Sequence, residues 1–214
     1  MVIRRSFFAF LSTLIVFSTV SLYFSSAHSA SFEEEATLFV EEMADKAIKQ
    51  LTDKTAPRDE RIERFRTYFN NHFAVHGIGK WILGRHWRKA TEKEREEYLV
   101  LFEDLMVIFY VDRFASYAGE PLHIHKSLTQ DVNNATVFSE IPQEDGKPAI
   151  RVDWRVARKD DLIKIVDVVV EGTSMSNTLR SDFGSIIRSR GRKISGLLEA
   201  LREKTTKLRK QTPD

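Results

Sequence analysis

Apolar residues recur every three or four positions after residue 30, which is the spacing of an amphipathic helix. A first helix is predicted from Ser31 to Leu51, because Ser31 and Glu34 form an S-x-x-E capping box. Pro57 suits the first turn of a second helix. The buried stripe of this second helix is Ile62, Phe65, Phe69 and Phe73. Residues 75–84 are predicted to be a short connector.

A long third helix is predicted after Thr91, which forms a second capping box with Glu94. Its first turns are charged, whereas Leu105–Val111 (LMVIFYV) is apolar on every side. A helix at a protein surface needs only one apolar stripe. This segment is therefore expected to be covered on both sides. One side can pack on a sheet, and the other must meet more protein or a ligand.

Four strands follow, and residues that favour turns separate them. The predicted strands are Leu122–Ser127, Ala135–Ile141, Ala149–Arg158 and Leu162–Glu171. The short links favour an antiparallel meander, and Asp145-Gly146 is the strongest hairpin signal. The last strand is apolar at most positions on both faces, so it is predicted to be central and covered on both sides.

Two amphipathic helices close the chain. Ser174 or Ser176 is predicted to cap the first of them, and Gly191 is predicted to end it. The last helix carries a stripe of leucines and ends in the basic segment Lys204–Lys210. The predicted fold class is therefore α+β. Residues 31–210 are predicted to form a single domain in which helices cover a four-stranded antiparallel sheet.

The N-terminal residues predict export. A pair of arginines precedes an apolar run, Phe7–Phe24, and small residues follow that run. This order is typical of a cleaved signal peptide, here residues 1–27. Cleavage after Ala30 is the less favoured alternative, because His28 would occupy the −3 position. An uncleaved membrane anchor is a further alternative, since about 18 apolar residues is near the minimum for a span.

Charge and composition narrow the class of partner. The chain has 33 Lys+Arg and 31 Asp+Glu, and two of the arginines lie in the predicted signal peptide. The exported part is therefore close to neutral, which argues against a nucleic acid as partner. The chain has no cysteine, so it must be stabilised by its core rather than by disulfides. It also shows no nucleotide-binding loop.

Candidate residues for catalysis or metal binding form incomplete sites. His123 and His125 share a face of one strand, but two imidazoles without a third ligand make a poor metal site. No metal is therefore expected. The segment 172–176 resembles a G-x-S-x-G elbow but has Ser176 in place of the last glycine. Asp112 interrupts an apolar helix and is the candidate general base, although an ion pair with an arginine is the favoured interpretation.

Several segments resemble the MlaC family of phospholipid-binding proteins, the toluene-tolerance auxiliary component of an ABC lipid transporter. The segments are Ile82-Leu83-Gly84-Arg85-His-Trp87-Arg88-Lys-Ala90-Thr91, Tyr117-Ala-Gly119-Glu120, Asp167-Val-Val-Val-Glu171-Gly172-Thr-Ser174, Leu179-Arg180, Phe183, Gly191 and Leu197-Leu198. Their order and spacing extend the resemblance over roughly residues 32–201. In one departure, Ile163 stands where the family usually has a tryptophan. Trp154 on the neighbouring strand is expected to supply aromatic bulk instead.

The resemblance implies an NTF2-like fold, in which a curved antiparallel sheet and helices enclose a deep apolar pocket. It also implies a carrier, not an enzyme, in the periplasm of a Gram-negative bacterium. Such a carrier exchanges glycerophospholipid with an inner-membrane ABC transporter, including its substrate-binding subunit, and with an outer-membrane lipoprotein complex. This exchange is part of the system that maintains outer-membrane lipid asymmetry. Bound phospholipid is the expected cargo, with no cofactor, and the protein is expected to be a monomer.

We expect the pocket wall to combine the two-sided helix, two tryptophans and one face of the sheet. The predicted wall residues are Trp81, Trp87, Phe102, Leu105, Met106, Phe109, Tyr110, Phe114, Val152, Trp154, Val166, Val168 and Val170. A one-residue shift of strand register would exchange the sheet residues for their neighbours. Two other functions remain open: a non-catalytic adaptor module of a membrane complex, and an NTF2-like enzyme that uses Asp112.

Overall fold

The computed structural model describes residues 31–53, 55–115, 119–143 and 146–210. The predicted signal peptide, Tyr117 and Asp145 lie outside the described residues. The helices are α1 (Phe32–Leu51), α2 (Arg58–His72), α3 (Val75–Leu83), α4 (Arg85–Lys89), α5 (Glu92–Ala115), α6 (Met175–Ser189) and α7 (Ile194–Lys210). The strands are β1 (His123–Asp131), β2 (Asn134–Ile141), β3 (Ile150–Lys159), β4 (Leu162–Val170) and β5 (Thr173–Ser174).

Helix α1 begins where the capping box predicts. The backbone N–H of Glu34 donates to Ser31 Oγ at 3.3 Å, and the backbone N–H of Ser31 donates to the Glu34 carboxylate at 2.9 Å. Ser174 is the residue that caps α6, because its hydroxyl accepts from the N–H of Asn177. Gly191 follows the end of α6 with φ +75, the conformation that favours glycine after a helix.

The predicted connector is wrong, because residues 75–83 form α3 and Gly84 leads directly into α4. Two glycines within α3 lower its helix propensity, but packing outweighs this preference. At Gly79, an added Cβ would lie only 3.0 Å from the Phe102 ring, so glycine allows α3 to approach α5 closely. Gly84 joins the two helices at φ +54, a conformation that L side chains rarely adopt.

The sheet is an antiparallel meander in the order β1-β2-β3-β4-β5, as the short links predict. Strands β3 and β4 are joined by Asp160 and Asp161, both with positive φ, as in the tight turns that suit hairpins. The four-strand prediction omits β5, which pairs only with the end of β4. Strand β4 lies between β3 and β5, so it is an inner strand as predicted, although β5 pairs with only Val169 and Val170.

The hydrophobic core has two parts, and α5 contributes to both. Val107, Ile108 and Val111 pack with α1, α2 and the sheet, whereas Tyr98 and Phe102 pack with α3, α6 and α7. The prediction that the apolar part of α5 is covered on both sides is confirmed. Within the described residues, no helix is long and apolar enough to cross a membrane.

Candidate functional site

An apolar cavity of about 210 Å³ lies between α5, the sheet and the start of α6. We call it the inner cavity. Its lining residues are Phe69, Phe73, Ile78, Phe102, Met106, Tyr110, Phe114, Trp154, Asp167, Val168, Val170, Met175, Ser176 and Leu179. Apart from Asp167 and Ser176, these residues are apolar or aromatic. A ligand in this space would therefore meet mostly hydrocarbon.

A second apolar cavity, of about 220 Å³, lies beneath α1, and we call it the α1 cavity. It is lined by Met43, Ala44, Ala47, Ile48, Tyr68, Phe73, Arg113, Phe114, Leu122, Ile141 and Trp154. Phe73, Phe114 and Trp154 line both cavities. These three aromatic side chains form a shared wall, and we call them the aromatic partition.

Two members of the partition are held differently. The Trp154 indole N–H donates to Ser139 Oγ at 3.0 Å, and the Ser139 hydroxyl donates in turn to the Val152 carbonyl at 2.6 Å. Phe114 is held by packing, with its ring centroid 5.3 Å from that of Phe65. Rotation of Phe114 therefore costs only packing contacts, whereas rotation of Trp154 would also break a hydrogen bond.

A groove of about 580 Å³ runs between α5, α6 and α7. Its floor is apolar and includes Leu105, Phe109, Phe183, Ile186 and Leu201. Met106, Tyr110 and Leu179 line both the groove and the inner cavity. Burial raises the pKa of the Tyr110 hydroxyl, so this side chain is neutral at physiological pH. The surface groove and the inner cavity therefore share three wall side chains, none of them charged.

Charged side chains form the rim of the groove. Arg190 is paired with Glu203 at 2.7 Å and with Glu199 at 3.5 Å. Lys204 and Lys207 also line the groove and form no ion pair with another described residue. The rim therefore offers two ammonium groups next to an apolar floor.

Nine of the thirteen predicted wall residues line these spaces. They are Phe102, Leu105, Met106, Phe109, Tyr110, Phe114, Trp154, Val168 and Val170. The other four, Trp81, Trp87, Val152 and Val166, line none of the three. Trp81 is 47% exposed on the outer side of α3, and Trp87 packs against the helical part of the core, beneath Lys80 and Arg95.

The position of Val166 follows from a β-bulge in β4. Val156 pairs with Ile165 and Arg155 pairs with Asp167, so Val166 is an extra residue without a partner on β3. A bulge shifts the alternation of side chains along a strand. Ile165 and Val168 therefore point to the same face although they are three residues apart. Val152 lies on that face as well, opposite Val170, but is covered by other side chains.

This arrangement of apolar spaces can be compared with known proteins. The sequence model of the family described as "MlaC protein" matches residues 41–203, which is most of the chain. The chain belongs to the MlaC family. Members of this family are lipid-binding carriers rather than enzymes.

A solved structure has the same fold as this MlaC-family chain. It is the phospholipid-binding protein from Ralstonia solanacearum, determined in complex with a phospholipid. The two chains superpose with a TM-score of 0.72 at 19% sequence identity. The match covers 82% of this chain and 99% of the other. At this level of identity, the likeness shows the α+β fold.

Sequence reasoning missed the contributions of α1, α2, α3 and α6 to the cavities of this MlaC-family protein. The missed residues include Met43, Ala47, Ile48, Phe69, Phe73, Ile78, Met175 and Leu179. Several of them belong to helical stripes that the sequence predicts to be buried. A stripe indicates which face of a helix is covered, but it does not distinguish close packing from a cavity.

The candidate general base is structural in this MlaC-family protein. The Asp112 carboxylate accepts hydrogen bonds from the Arg58 guanidinium, the shortest at 2.9 Å, and Arg61 lies 3.8 Å away. Asp112 lines neither cavity nor the groove. It joins α5 to α2, as the ion-pair interpretation predicts.

The other polar candidates also have structural roles. His125 pairs with Glu140 at 3.2 Å, and the described residues contain no cluster of three side chains that could hold a metal. Asp167 is buried, and its carboxylate accepts from the Ser174 hydroxyl, the Ser176 N–H and Arg155. Asp167 therefore attaches the first turn of α6 to β4, next to the inner cavity.

Proposed function

We propose that this protein is a periplasmic carrier that encloses the acyl chains of a glycerophospholipid. It exchanges its cargo with an outer-membrane lipoprotein complex and with an inner-membrane ABC transporter that includes a substrate-binding subunit. Membership of the MlaC family supports this function. The phospholipid bound to the similarly folded R. solanacearum protein supports the class of cargo.

The observation that carries the proposal is that the apolar spaces adjoin one another and share walls. Each cavity, at 210 and 220 Å³, is smaller than the range of about 300–1,000 Å³ that ligand sites occupy. Joined across the aromatic partition, the two cavities fall within that range. Loading therefore requires Phe114 to rotate. The groove then connects the joined space to solvent past Met106, Tyr110 and Leu179.

An apolar interior is sufficient to carry a phospholipid without catalysis. Each methylene exposed to water costs about 0.8 kcal/mol, so acyl chains need cover while they cross an aqueous gap. A bilayer and an apolar cavity are similar environments, so exchange between them requires little free energy. The phosphate stays at the rim of the groove, where Lys204 and Lys207 can donate charge-assisted hydrogen bonds. Energy and direction come from the partner that hydrolyses nucleotide.

The proposal includes the organisation of the chain. Residues 1–27 form a cleaved signal peptide, and residues 31–210 form one lipid-binding domain of the NTF2-like type. The basic start, apolar run and small residues of the N-terminus support export. The antiparallel sheet with helices around cavities supports the fold type.

Native mass spectrometry of gently purified protein tests the cargo. We expect a mass excess equal to one phospholipid, which organic extraction and fragmentation would identify. The protein should also start at residue 28 or 31. An empty protein that takes no lipid from vesicles would contradict the proposal.

Val168→Trp tests the location of the acyl chains. Val168 is half-buried in the wall of the inner cavity. A tryptophan side chain at this position can therefore fill the cavity without displacing buried core side chains. We expect lipid to be absent from the variant and its unfolding temperature to change little. Val132→Trp, at an 80% exposed turn position, is the matched control and should keep its lipid. Retained lipid in a folded Val168→Trp protein would place the site elsewhere.

A further inference from the structure

The face formed by α3, α4 and α6 carries a cluster of cations that the cavities do not use. We call it the basic face, and it includes the exposed Trp81. Its cations are all exposed: Lys80, Arg85, Arg88, Lys89, Arg180 and Arg188. The full chain has a net charge of only +2, so this cluster is a local concentration of charge.

Helix α4 contributes three of the cations. Arg85, Arg88 and Lys89 are spaced i, i+3 and i+4, which places their side chains on one side of the helix. None of the three forms a side-chain hydrogen bond or an ion pair with another described residue. Their placement is therefore not required for the internal packing of the protein.

Helix α6 contributes the other two arginines to the same face. Arg180 and Arg188 are two turns apart with Gly184 between them, while Asp182 points into the groove. The Arg180 guanidinium lies 4.7 Å from the Trp81 ring centroid and donates to the Trp81 carbonyl at 2.7 Å. A Cβ at Gly84 would collide with this guanidinium at 2.7 Å, so the glycine makes room for it.

The positive charges lie close enough to influence a shared neighbour. Burial lowers the pKa of His86, and the charges of Arg85, Lys89 and Arg188 lower it further. The first acids that follow α4 are already engaged, because Glu92 pairs with Arg95 and the Glu94 carboxylate accepts from the Thr91 N–H and hydroxyl. No described acid neutralises the basic face, whereas Arg58, Arg66 and Arg190 all form ion pairs.

We propose that the basic face docks the protein onto the surface of an anionic phospholipid bilayer. Anionic head groups attract clustered lysines and arginines, and tryptophan prefers the boundary between head groups and acyl chains. An exposed tryptophan among unpaired cations matches both preferences of that surface. The groove lies on the opposite side of α6, so docking through the basic face leaves it uncovered.

Flotation with vesicles tests this proposal. We expect the purified protein to bind vesicles of phosphatidylcholine mixed with phosphatidylglycerol, but not phosphatidylcholine alone, and high salt should weaken binding. Each cation near an anionic surface contributes about fivefold in affinity. The triple variant Arg85→Gln/Arg88→Gln/Lys89→Gln should therefore lose on the order of a hundredfold. Docking should also shift tryptophan emission to shorter wavelength, and Trp81→Phe should abolish most of that shift.

The matched control is Lys126→Gln/Lys147→Gln/Lys159→Gln, which removes the same charge from the sheet side of the molecule. It should bind anionic vesicles at least tenfold more tightly than the α4 variant. Equal weakening in both triple variants would show a general charge effect and overturn the proposal. Failure of the wild-type protein to bind anionic vesicles would also overturn the proposal. If cross-linking in the cell envelope then showed that the same residues contact an acidic protein, the basic face would be a protein-binding surface instead. Both variants should keep bound lipid in native mass spectrometry, which separates docking from cargo binding.

Discussion

The two halves of α5 are both rich in aromatic residues but have different surroundings. In the N-terminal half, Tyr98 is fully buried, and its hydroxyl donates to the Gly79 carbonyl at 3.0 Å. In the C-terminal half, Phe109, Tyr110 and Phe114 are half-buried beside the cavities and the groove. The aromatic side chains of one helix thus range from a fully buried core residue, Tyr98, to residues that line the cavities, while Val107, Ile108 and Val111 of the C-terminal half remain in the core.

The difference shows that aromatic content does not determine what a segment does. Tyr98 is enclosed by Phe102 and Phe183, and α3 approaches closely because position 79 is glycine. Phe114 faces open space on two sides because α1, α2 and the sheet do not close on it. Whether an aromatic residue of α5 stabilises the core or lines a cavity depends on how closely the neighbouring elements pack against it.

Tyr98→Ala should give the largest loss of stability. Removing a fully buried aromatic ring costs about 3–5 kcal/mol, and the buried Gly79 carbonyl would also lose its donor. Urea unfolding followed by circular dichroism measures the change. A loss below about 1 kcal/mol would mean that the Tyr98 ring is packed as loosely as the Phe114 ring.

Asp112→Asn should have the next largest effect, a loss of about 2 kcal/mol in the free energy of unfolding. The substitution removes the charge that Arg58 and Arg61 share, and both of these arginines are largely buried. Bound lipid should be unchanged, because Asp112 lines no cavity. Loss of lipid from a folded variant would instead connect Asp112 to the binding site.

Phe114→Ala should cost only about 1–2 kcal/mol, because the ring is half-buried and already borders empty space. It removes the member of the aromatic partition that is held only by packing, so the two cavities should merge. We expect uptake of fluorescent phospholipid from vesicles to be at least as fast as in the wild type. A loss as large as that of Tyr98→Ala would show that the Phe114 ring is packed as tightly as the Tyr98 ring.

Asp104→Asn should have the smallest effect, about 1 kcal/mol or less at neutral pH, because the ion pairs of Asp104 are partly solvated. Burial alone would raise the pKa of Asp104, but hydrogen bonds and charges from Arg209 and Arg66 outweigh it and lower the pKa. The contribution is therefore complete above the unfolded value of about 3.9 and is lost as pH falls through the lower folded pKa. Unfolding at a series of pH values should show the two proteins converge in acid.

Much of the fold follows from local patterns. The capping residues Ser31 and Ser174, the meander and the two-sided cover of α5 are encoded by short-range spacing and by turn residues. Helix α3 was not predictable in this way, because its glycines reduce helix propensity and its packing partner lies on α5. Strand β5 was missed because it has only two residues and pairs only with the end of β4.

The site was predictable only in part, for a related reason. Side chains of α5 such as Met106 and Tyr110 could be chosen because they lie on a segment that is apolar all round, and Phe114 continues the same face of the helix. Phe73 and Leu179 lie on ordinary amphipathic stripes, and a cavity depends on the distance between elements rather than on either stripe. Val166 was misplaced because no residue type marks the bulge, and the bulge alters which β4 positions face inward.

The unpaired Val166 makes β4 tolerant of a change in length at one position. Deleting this residue would leave Ile165 and Val168 two positions apart, as in a regular strand, so both would still face inward. Deleting Val169 would instead bring Val170 next to Val168 and turn it away from the inner cavity. Related chains that differ by one residue in this strand can therefore keep the same cavity wall, provided that the gap falls at the bulge.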